Sequence, residues 1–417
     1  MKDNDFYSLA GLSVGDYQLI RRIGAGTYGL IYLVEDIHTR RRFAAKMLLK
    51  NPPMKLDDVD ANKEQIQRQF YQFFKVNQSP SIESLNLLKL RNLGALCPFL
   101  KEIAIHLQVM SHPNIALIHA VLDITDLAVV IVMDYFEQGD LFYNITTNQI
   151  FQSYHGNKQL LMKNVMLQLI EAVEFCASRG IYHCDLKPEN IMVHYNPHYV
   201  RSTSNVCIDY DECRVVLIDF GLAMTSNFMC CNVCRGLLFY MAPERLMNYS
   251  DLPIIRRLVD LSQYELMKEE NREYDPLSLK YFPTIAGDIW SLGVLFINIS
   301  CLRNPWPMAL LTQDENTVFR DYMLHGKKKI LSQILPISTQ FNLLLDKIFR
   351  LDPNERINLP ALRQEIMTID LFHTYPLSPP SEPEVNLPEV RGDLIITERS
   401  MMEQCRHRLK RFSCPHH

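Results

Sequence analysis

The run His183-Cys184-Asp185-Leu186-Lys187-Pro188-Glu189-Asn190, followed by Asp219-Phe220-Gly221, sets an acid, a lysine, an amide and a second acid at short spacings. These residue types suit phosphoryl transfer. Moving the terminal phosphate of a nucleotide asks little covalent work of a protein. It does need metal ions to spread charge and a carboxylate to orient the attacking hydroxyl. Asp185 can be that carboxylate, and Lys187 can neutralise a phosphoryl group in flight. Asn190 and Asp219 offer oxygen ligands, which suit a hard, octahedral Mg2+ that keeps part of its water.

Such chemistry also requires a phosphate cradle and a further cation. Ile23-Gly24-Ala25-Gly26-Thr27-Tyr28-Gly29-Leu30-Ile31 places three glycines between apolar residues that alternate as in strands, so its backbone can bend closely over phosphates. The same glycine pattern opens dinucleotide-binding folds, but there a helix follows the last glycine. Here Leu30-Ile-Tyr-Leu-Val34 continues as a strand, which disfavours a dinucleotide-dependent oxidoreductase. Lys46 stands on the short apolar strand Arg42-Phe-Ala-Ala-Lys-Met-Leu-Leu49, where an unshared charge is disfavoured. Glu102, in the helical stretch from Leu100 to Met110, can share that charge as an ion pair. Downstream stand Tyr240-Met-Ala-Pro-Glu244, Asp288-Ile-Trp-Ser-Leu-Gly293, and Arg356 at the end of Leu351-Asp-Pro-Asn-Glu-Arg356.

This ordered set resembles the eukaryotic protein kinase family over residues 17–374. The segment Glu102-Ile-Ala-Ile-His-Leu-Gln-Val-Met-Ser-His-Pro-Asn-Ile115, with the long stretch before it, is similar to the fungal kinases of the meiosis-repressing and nutrient-signalling group. The resemblance implies a two-lobed α+β kinase fold with nucleotide in the cleft between the lobes. The small β-rich lobe with one key helix would span 17–136, and the larger, mostly helical lobe 137–374. It also implies ATP and Mg2+ as cofactors and proteins as substrates, with Lys187 pointing to serine and threonine acceptors rather than tyrosine.

Roles follow the same resemblance. Lys46, paired with Glu102, grips the inner phosphates, and Asp185 orients the substrate hydroxyl. Asn190 and Asp219 hold the metal, and residues Ile23, Gly24, Ala25, Gly26, Thr27, Tyr28 and Gly29 cover the phosphates. Ile31, Ala44 and Met192 sandwich the adenine, although by residue type alone they are ordinary core. Asp134-Tyr135-Phe136 forms the hinge, Met133 guards the back pocket, and Asp140 stands at the ribose. Asp140 and Glu189 either attract a basic residue on the N-terminal side of the acceptor or make only local hydrogen bonds.

Two departures from the family pattern bear on activity. Cys184 stands where many kinases have an arginine that binds a phosphorylated activation loop, and a thiol cannot form a bidentate pair with phosphate. Between Asp219 and Glu244 the hydroxyl residues are Thr225, Ser226 and Tyr240. A kinase active without loop phosphorylation is therefore expected. Leu237 replaces the usual serine or threonine that ties the loop to the catalytic aspartate and lysine, and it cannot make those bonds. That keeps open an alternative, a pseudokinase acting as a nucleotide-binding scaffold. Leu237 and Leu238 can equally line an apolar pocket for the residue after the acceptor.

The elements that must position these groups are legible in outline. Strand-like alternation fills Tyr17 to Lys50, and two more strands span Ala116 to Leu122 and Leu127 to Asp134. From Leu141 the pattern turns helical, with Val165, Leu169, Val173 and Cys176 at helical spacing. The chain divides into an extension over 1–16, the kinase region with inserts at about 51–97, 195–213 and 247–278, and a Pro- and Ser-rich tail over 375–417 that resists regular structure. In the first insert Ile66, Phe70 and Phe74 recur every fourth residue, which predicts an amphipathic helix over 60–76. That helix either packs on the small lobe or docks a partner.

Composition narrows the rest. A net charge of -4 over 417 residues gives no general pull toward nucleic acid or anionic membrane. The odd count of eleven cysteines, without small-domain spacing, favours reduced thiols in the cytoplasm or nucleus. The first 16 residues lack a basic-then-apolar signal, and the run Leu127 to Met133 is too short to span a bilayer. Cys230, Cys231 and Cys234 read as ordinary thiols rather than a zinc site, and His106 as core. Arg406 to Arg411 reads as a solvated basic end, with nuclear import or anionic lipid as the alternatives.

Overall fold

Alternation of apolar and polar residues every second position demands a sheet with two unlike faces, and residues 7–137 are built on one. The computed structural model describes residues 7–26, 29–52, 59–77, 80–94, 100–153, 157–201, 208–230, 236–246, 281–310 and 317–373. It separates into two units, Met1–Glu137 and Gln138–His417. Thr27, Tyr28, Cys231, Cys234, the insert at 247–278 and the tail lie outside the described residues.

In the first unit β1 (Ser13–Val14), β2 (Tyr17–Ala25), β3 (Gly29–Asp36) and β4 (Arg42–Leu49) are followed by the helix α1 (Val59–Val76), β5 (Ile82–Ser84), the helices α2 (Leu87–Leu93) and α3 (Lys101–Val109), then β6 (Ile118–Ile124) and β7 (Ala128–Asp134). The seven strands form one antiparallel sheet in the order β1-β2-β3-β4-β7-β6-β5.

The faces carry different cores. Leu30, Tyr32 and Val34 of β3, Ala45, Met47 and Leu49 of β4, and Val130 and Val132 of β7 pack with Ile66, Phe70 and Phe74 of α1. The alternate residues Val129 and Ile131 of β7 join Ile118 and Val121 of β6, Ile103 and Leu107 of α3, and Leu90 of α2. Each fully buried side chain of this size contributes about 1.5–3 kcal/mol. The periodic stripe of α1 is thus covered by the sheet, and a partner at this insert would have to meet a different face. The insert also supplies β5 and α2, which the sequence did not announce: β5 extends the sheet at the β6 edge, and α2 packs on α3.

The second unit opens with α4 (Leu141–Thr146), α5 (Ile150–Ser153) and α6 (Lys158–Ala177), followed by the hairpin of β8 (Ile191–Tyr195) and β9 (Cys213–Leu217). A short pair, β10 (Phe228–Cys230) with β11 (Tyr281–Pro283), brackets α7 (Pro243–Leu246). Then come α8 (Thr284–Cys301), α9 (Thr317–Met323), α10 (Ile330–Ile334), α11 (Thr339–Ile348) and α12 (Leu359–Thr368). By length and composition α8 could cross a membrane, yet 83% of it is buried inside the unit. It is a core helix. Its polar residues Asp288, Ser291 and Asn298 break the apolar run and are each hydrogen-bonded within the unit.

The insert between β8 and β9 is bolted to α6. Glu212, fully buried, accepts from Arg201 and, at 2.9 Å, from Asn164 Nδ2. Gln168 donates to Asn164 Oδ1 at 2.8 Å and accepts from Val215 N at 3.0 Å. A buried charge satisfied on several sides in this way fixes the hairpin that follows Asn190.

Candidate active site

In the first unit, pairing within the sheet sets the positions. Lys46 lies between Ile31 of β3 and Ile131 of β7 as Cα partners, and Ile31 is also the partner of Gly24. Strand alternation sends Phe43, Ala45 and Met47 into the α1 face and leaves Lys46 for the α3 side. There its Nζ donates to Glu102 Oε1 at 2.5 Å, with side-chain exposures of 17% and 22%. Glu102 stands in the first turn of α3, where a helix favours negative charge. Ala44 pairs with Met133, and the carboxylate of Asp134 accepts from Leu117 N at 3.0 Å and lies 2.7 Å from His119 Nε2. Phe136 is half-buried.

The glycine hairpin fits a phosphate cradle. The ladder shifts register between Arg22 and Gly24, so Ile23 lies in a bulge, and Ala25 pairs with Leu30. Gly26 N donates to Gly29 O at 2.9 Å, closing the tip. A Cβ on Gly29 would collide with the Met47 carbonyl, whereas one on Gly26 would meet nothing, so open space lies at the tip.

In the second unit the loop of residues 183–190 is suspended from α8. Asp288, 1% exposed, accepts from His183 N at 2.9 Å and Cys184 N at 2.8 Å. Burial pushes its carboxyl above the usual range, while those bonds, His183 and Arg245 pull it back. The arrangement stabilises Cys184 at a φ of 61°, in the left-handed region a non-glycine residue seldom adopts. Arg245 donates to the Cys184 carbonyl at 2.7 Å. The thiol of Cys184 packs with Tyr182 and Met229, and burial pushes it well up, so it is an inert core group.

Beyond this turn the sequence-predicted residues converge. Lys187 Nζ donates to Asp185 Oδ2 at 2.6 Å. Asn190 Nδ2 donates to Asp185 Oδ2 and to the Asp185 carbonyl, both at 2.9 Å. Ile218 N donates to Asn190 O at 2.9 Å, which brings the neighbouring Asp219 beside this loop. Asp219 also adopts a positive φ, 62°, and accepts from Gly221 N at 3.3 Å. One carboxylate and one amide oxygen make a hard donor pair, which suits Mg2+. Among the described residues no group of three or more His, Cys, Asp or Glu could hold a metal.

Met192 of β8 bridges to Asp140, whose carboxylate accepts from Tyr143 N at 2.7 Å and caps α4. Asp140 therefore has a structural role whatever else it does. Glu189 has an Oε2 that is buried without a hydrogen-bond partner. Burial raises its carboxyl, partly opposed by its own backbone N–H and Lys187. His106 packs in the core, its Nε2 2.7 Å from the Ala116 carbonyl oxygen.

Gly236 was not singled out from the sequence. Its φ is 101°, and a Cβ built there would overlap Asp185 Oδ1. Only its lack of a side chain pointed to it. Gly236→Ala must push the carboxylate aside, and a displacement of about 1 Å costs up to roughly 100-fold. We expect kcat for phosphoryl transfer to fall about 10- to 100-fold with the KM for nucleotide unchanged, read by steady-state kinetics. An unaltered kcat would show that the backbone at 236 does not confine Asp185.

Comparison with known proteins gives a consistent picture. A family model described as a protein kinase domain matches residues 89–260. Serine/threonine-protein kinase SKS1 of Saccharomyces cerevisiae is 35% identical over 379 residues, covering 87% of this chain and 67% of that protein. Serine/threonine-protein kinase VHS1 of the same yeast is 34% identical over 370 residues, covering 86% and 71%. The negative regulator of sexual conjugation and meiosis of Schizosaccharomyces pombe is 36% identical over 355 residues, covering 85% and 60%.

Proposed function

Because this chain belongs to the protein kinase family, as a serine/threonine-protein kinase, we propose that it transfers the γ-phosphate of ATP to protein serine and threonine hydroxyls through Asp185, without needing a phosphorylated activation loop. The observation that carries this is the bonded cluster of Asp185, Lys187 and Asn190. Mg2+ and ATP, when bound, supply the phosphoryl group and the cations that spread its charge.

The chain's own residues do the positioning. Asp185 accepts the hydroxyl proton and orients the oxygen, and Lys187, already on its carboxylate, stands ready for charge on the transferring group. Asn190 and Asp219 would hold the metal. Lys46, kept in place by Glu102, would grip the inner phosphates under the hairpin of residues 23–29. Ile31, Ala44 and Met133 would receive the adenine, with Asp134 and Phe136 at its edge.

Independence from loop phosphate rests on Cys184, a buried thiol in place of a guanidinium. Arg245 nearby is already bonded to the Cys184 carbonyl. The scaffold alternative rested on Leu237. Yet Lys187 and Asp185 are in contact at 2.6 Å with a leucine there, so the missing hydroxyl does not leave the pair open. We assign Glu189, with Asp140, to a basic residue on the N-terminal side of the acceptor, because its Oε2 has no hydrogen-bond partner within the protein. Similarity to a regulator of conjugation and meiosis supports a role in fungal signalling.

The test is purified protein with labelled ATP, Mg2+ and a degenerate peptide library, before and after phosphatase treatment. Phosphate should enter serine and threonine peptides enriched in Arg or Lys upstream, at a rate phosphatase does not change. No transfer would favour the scaffold, lost activity would refute loop independence, and a flat upstream profile would remove Glu189 from recognition.

A further inference from the structure

We propose that residues 80–94 brace α3, and that Leu90 is a positioning residue for Glu102. The proposal rests on Lys46 and Glu102 serving catalysis as described above. It identifies what holds that pair in register.

A nine-residue helix is marginal on its own, and among the described residues the N-cap of α3, Leu100, gives its start no side-chain hydrogen bond. Its first turn, where Glu102 stands, is the end with least local support. Support comes instead from α2. Leu90, 7% exposed, is buried with Ile103 and Leu107 of α3 and with Ile118, Val121, Val129 and Ile131 of the sheet. At the end of α2, a Cβ on Gly94 would stand 3.0 Å from Ala104 Cβ and 3.6 Å from Leu100, so the absence of a side chain lets the two helices touch.

The brace is itself anchored. Asn86 caps α2, its Oδ1 accepting from Lys89 N at 3.0 Å. Leu85 N donates to Val121 O at 2.8 Å, and Thr125 N to Ser81 O at 3.2 Å. Between them β5 pairs with β6 through Ile82 and Ile124. An unbroken path of backbone bonds and buried contacts therefore runs from the sheet through β5 and α2 to the helix that carries Glu102.

The experiment uses the full chain with Leu90→Ala, Gly94→Ala, Glu102→Gln and the double variant Leu90→Ala/Glu102→Gln. Ile66→Ala, on the opposite face of the sheet, serves as the control for lost packing. Leu90→Ala should lower kcat/KM for ATP about 10- to 100-fold, the effect of misplacing a positioned group, and Gly94→Ala should act in the same direction. In the Glu102→Gln background Leu90→Ala should add nothing further, because both changes act through one carboxylate. Hydrogen exchange should quicken over residues 101–109 in Leu90→Ala but not in Ile66→Ala. Independent, multiplying losses in the double variant, or unchanged exchange over α3, would overturn the brace. An inactive parent protein would instead overturn the kinase assignment, while the exchange result would still decide the brace.

Discussion

Asp185→Asn should lower kcat by roughly 10²- to 10⁴-fold, the range a positioned proton acceptor contributes, and should leave nucleotide binding nearly unchanged. The Asp185 carboxylate accepts two side-chain donors, Lys187 Nζ at 2.6 Å and Asn190 Nδ2 at 2.9 Å, both on Oδ2. An asparagine can keep the shape but offers only one acceptor oxygen, and its amide nitrogen cannot take a proton from the substrate hydroxyl. Lys187 would also lose a full negative charge beside it. Because the residues of the glycine hairpin and Lys46 are untouched, ATP should still protect the variant against heat. Steady-state kinetics on a library-selected peptide, paired with nucleotide-dependent thermal shifts, checks both halves. A kcat within about threefold of the parent would be too small for a group in this role.

The second large effect falls on stability. Arg356 makes a bidentate pair with Glu244, at 2.6 and 2.7 Å, with side-chain exposures of 0% and 1%. It also donates to Ala286 O at 2.9 Å and Arg350 O at 3.0 Å, and lies over the Trp290 ring. Arg356→Met leaves Glu244 charged and buried without its partner, a change that costs about 3–5 kcal/mol. At roughly 2–4 °C per kcal/mol for domains of this order of size, thermal unfolding should drop by about 6–20 °C. Adding Glu244→Gln removes the stranded charge and should recover part of the loss, though not the bonds to the two carbonyls. Calorimetry on the three proteins decides it, and a drop of under about 2 °C for Arg356→Met would mean that the pair contributes little. Activity should follow stability here, since the residue after Glu244, Arg245, bonds to the Cys184 carbonyl.

Much of the site was legible because its parts are local in sequence. Asp185, Lys187 and Asn190 lie within one short loop, so a single turn can join them. The pair of Lys46 and Glu102 was readable from cost: a lysine on an apolar strand needs an acid, and the first helix downstream of the insert offers one. The helix α1 was legible from its fourfold spacing, and its stripe lies in the core. What stayed hidden depends on contacts between distant residues. Nothing near Asp288 announces that its carboxylate holds the backbone of residues 183 and 184, and nothing near Gly236 announces the Asp185 carboxylate. The strand β5 has three residues and α2 seven, too few for periodicity to distinguish from a connecting segment. Their register comes from the β6 edge rather than from their own sequence.

The helix α8 fixes more than one segment. Asp288 holds the backbone of residues 183 and 184, and three residues later Ser291 donates to the Tyr240 carbonyl at 2.8 Å. At about 1.5 Å of rise per residue these two anchorages lie roughly 4.5 Å apart along its axis. That interval is set by helical geometry, which admits no intermediate value. Adding or deleting one residue between them would swing one anchorage about a third of a turn away from its loop. A change of length is therefore better borne by connections that α8 does not measure.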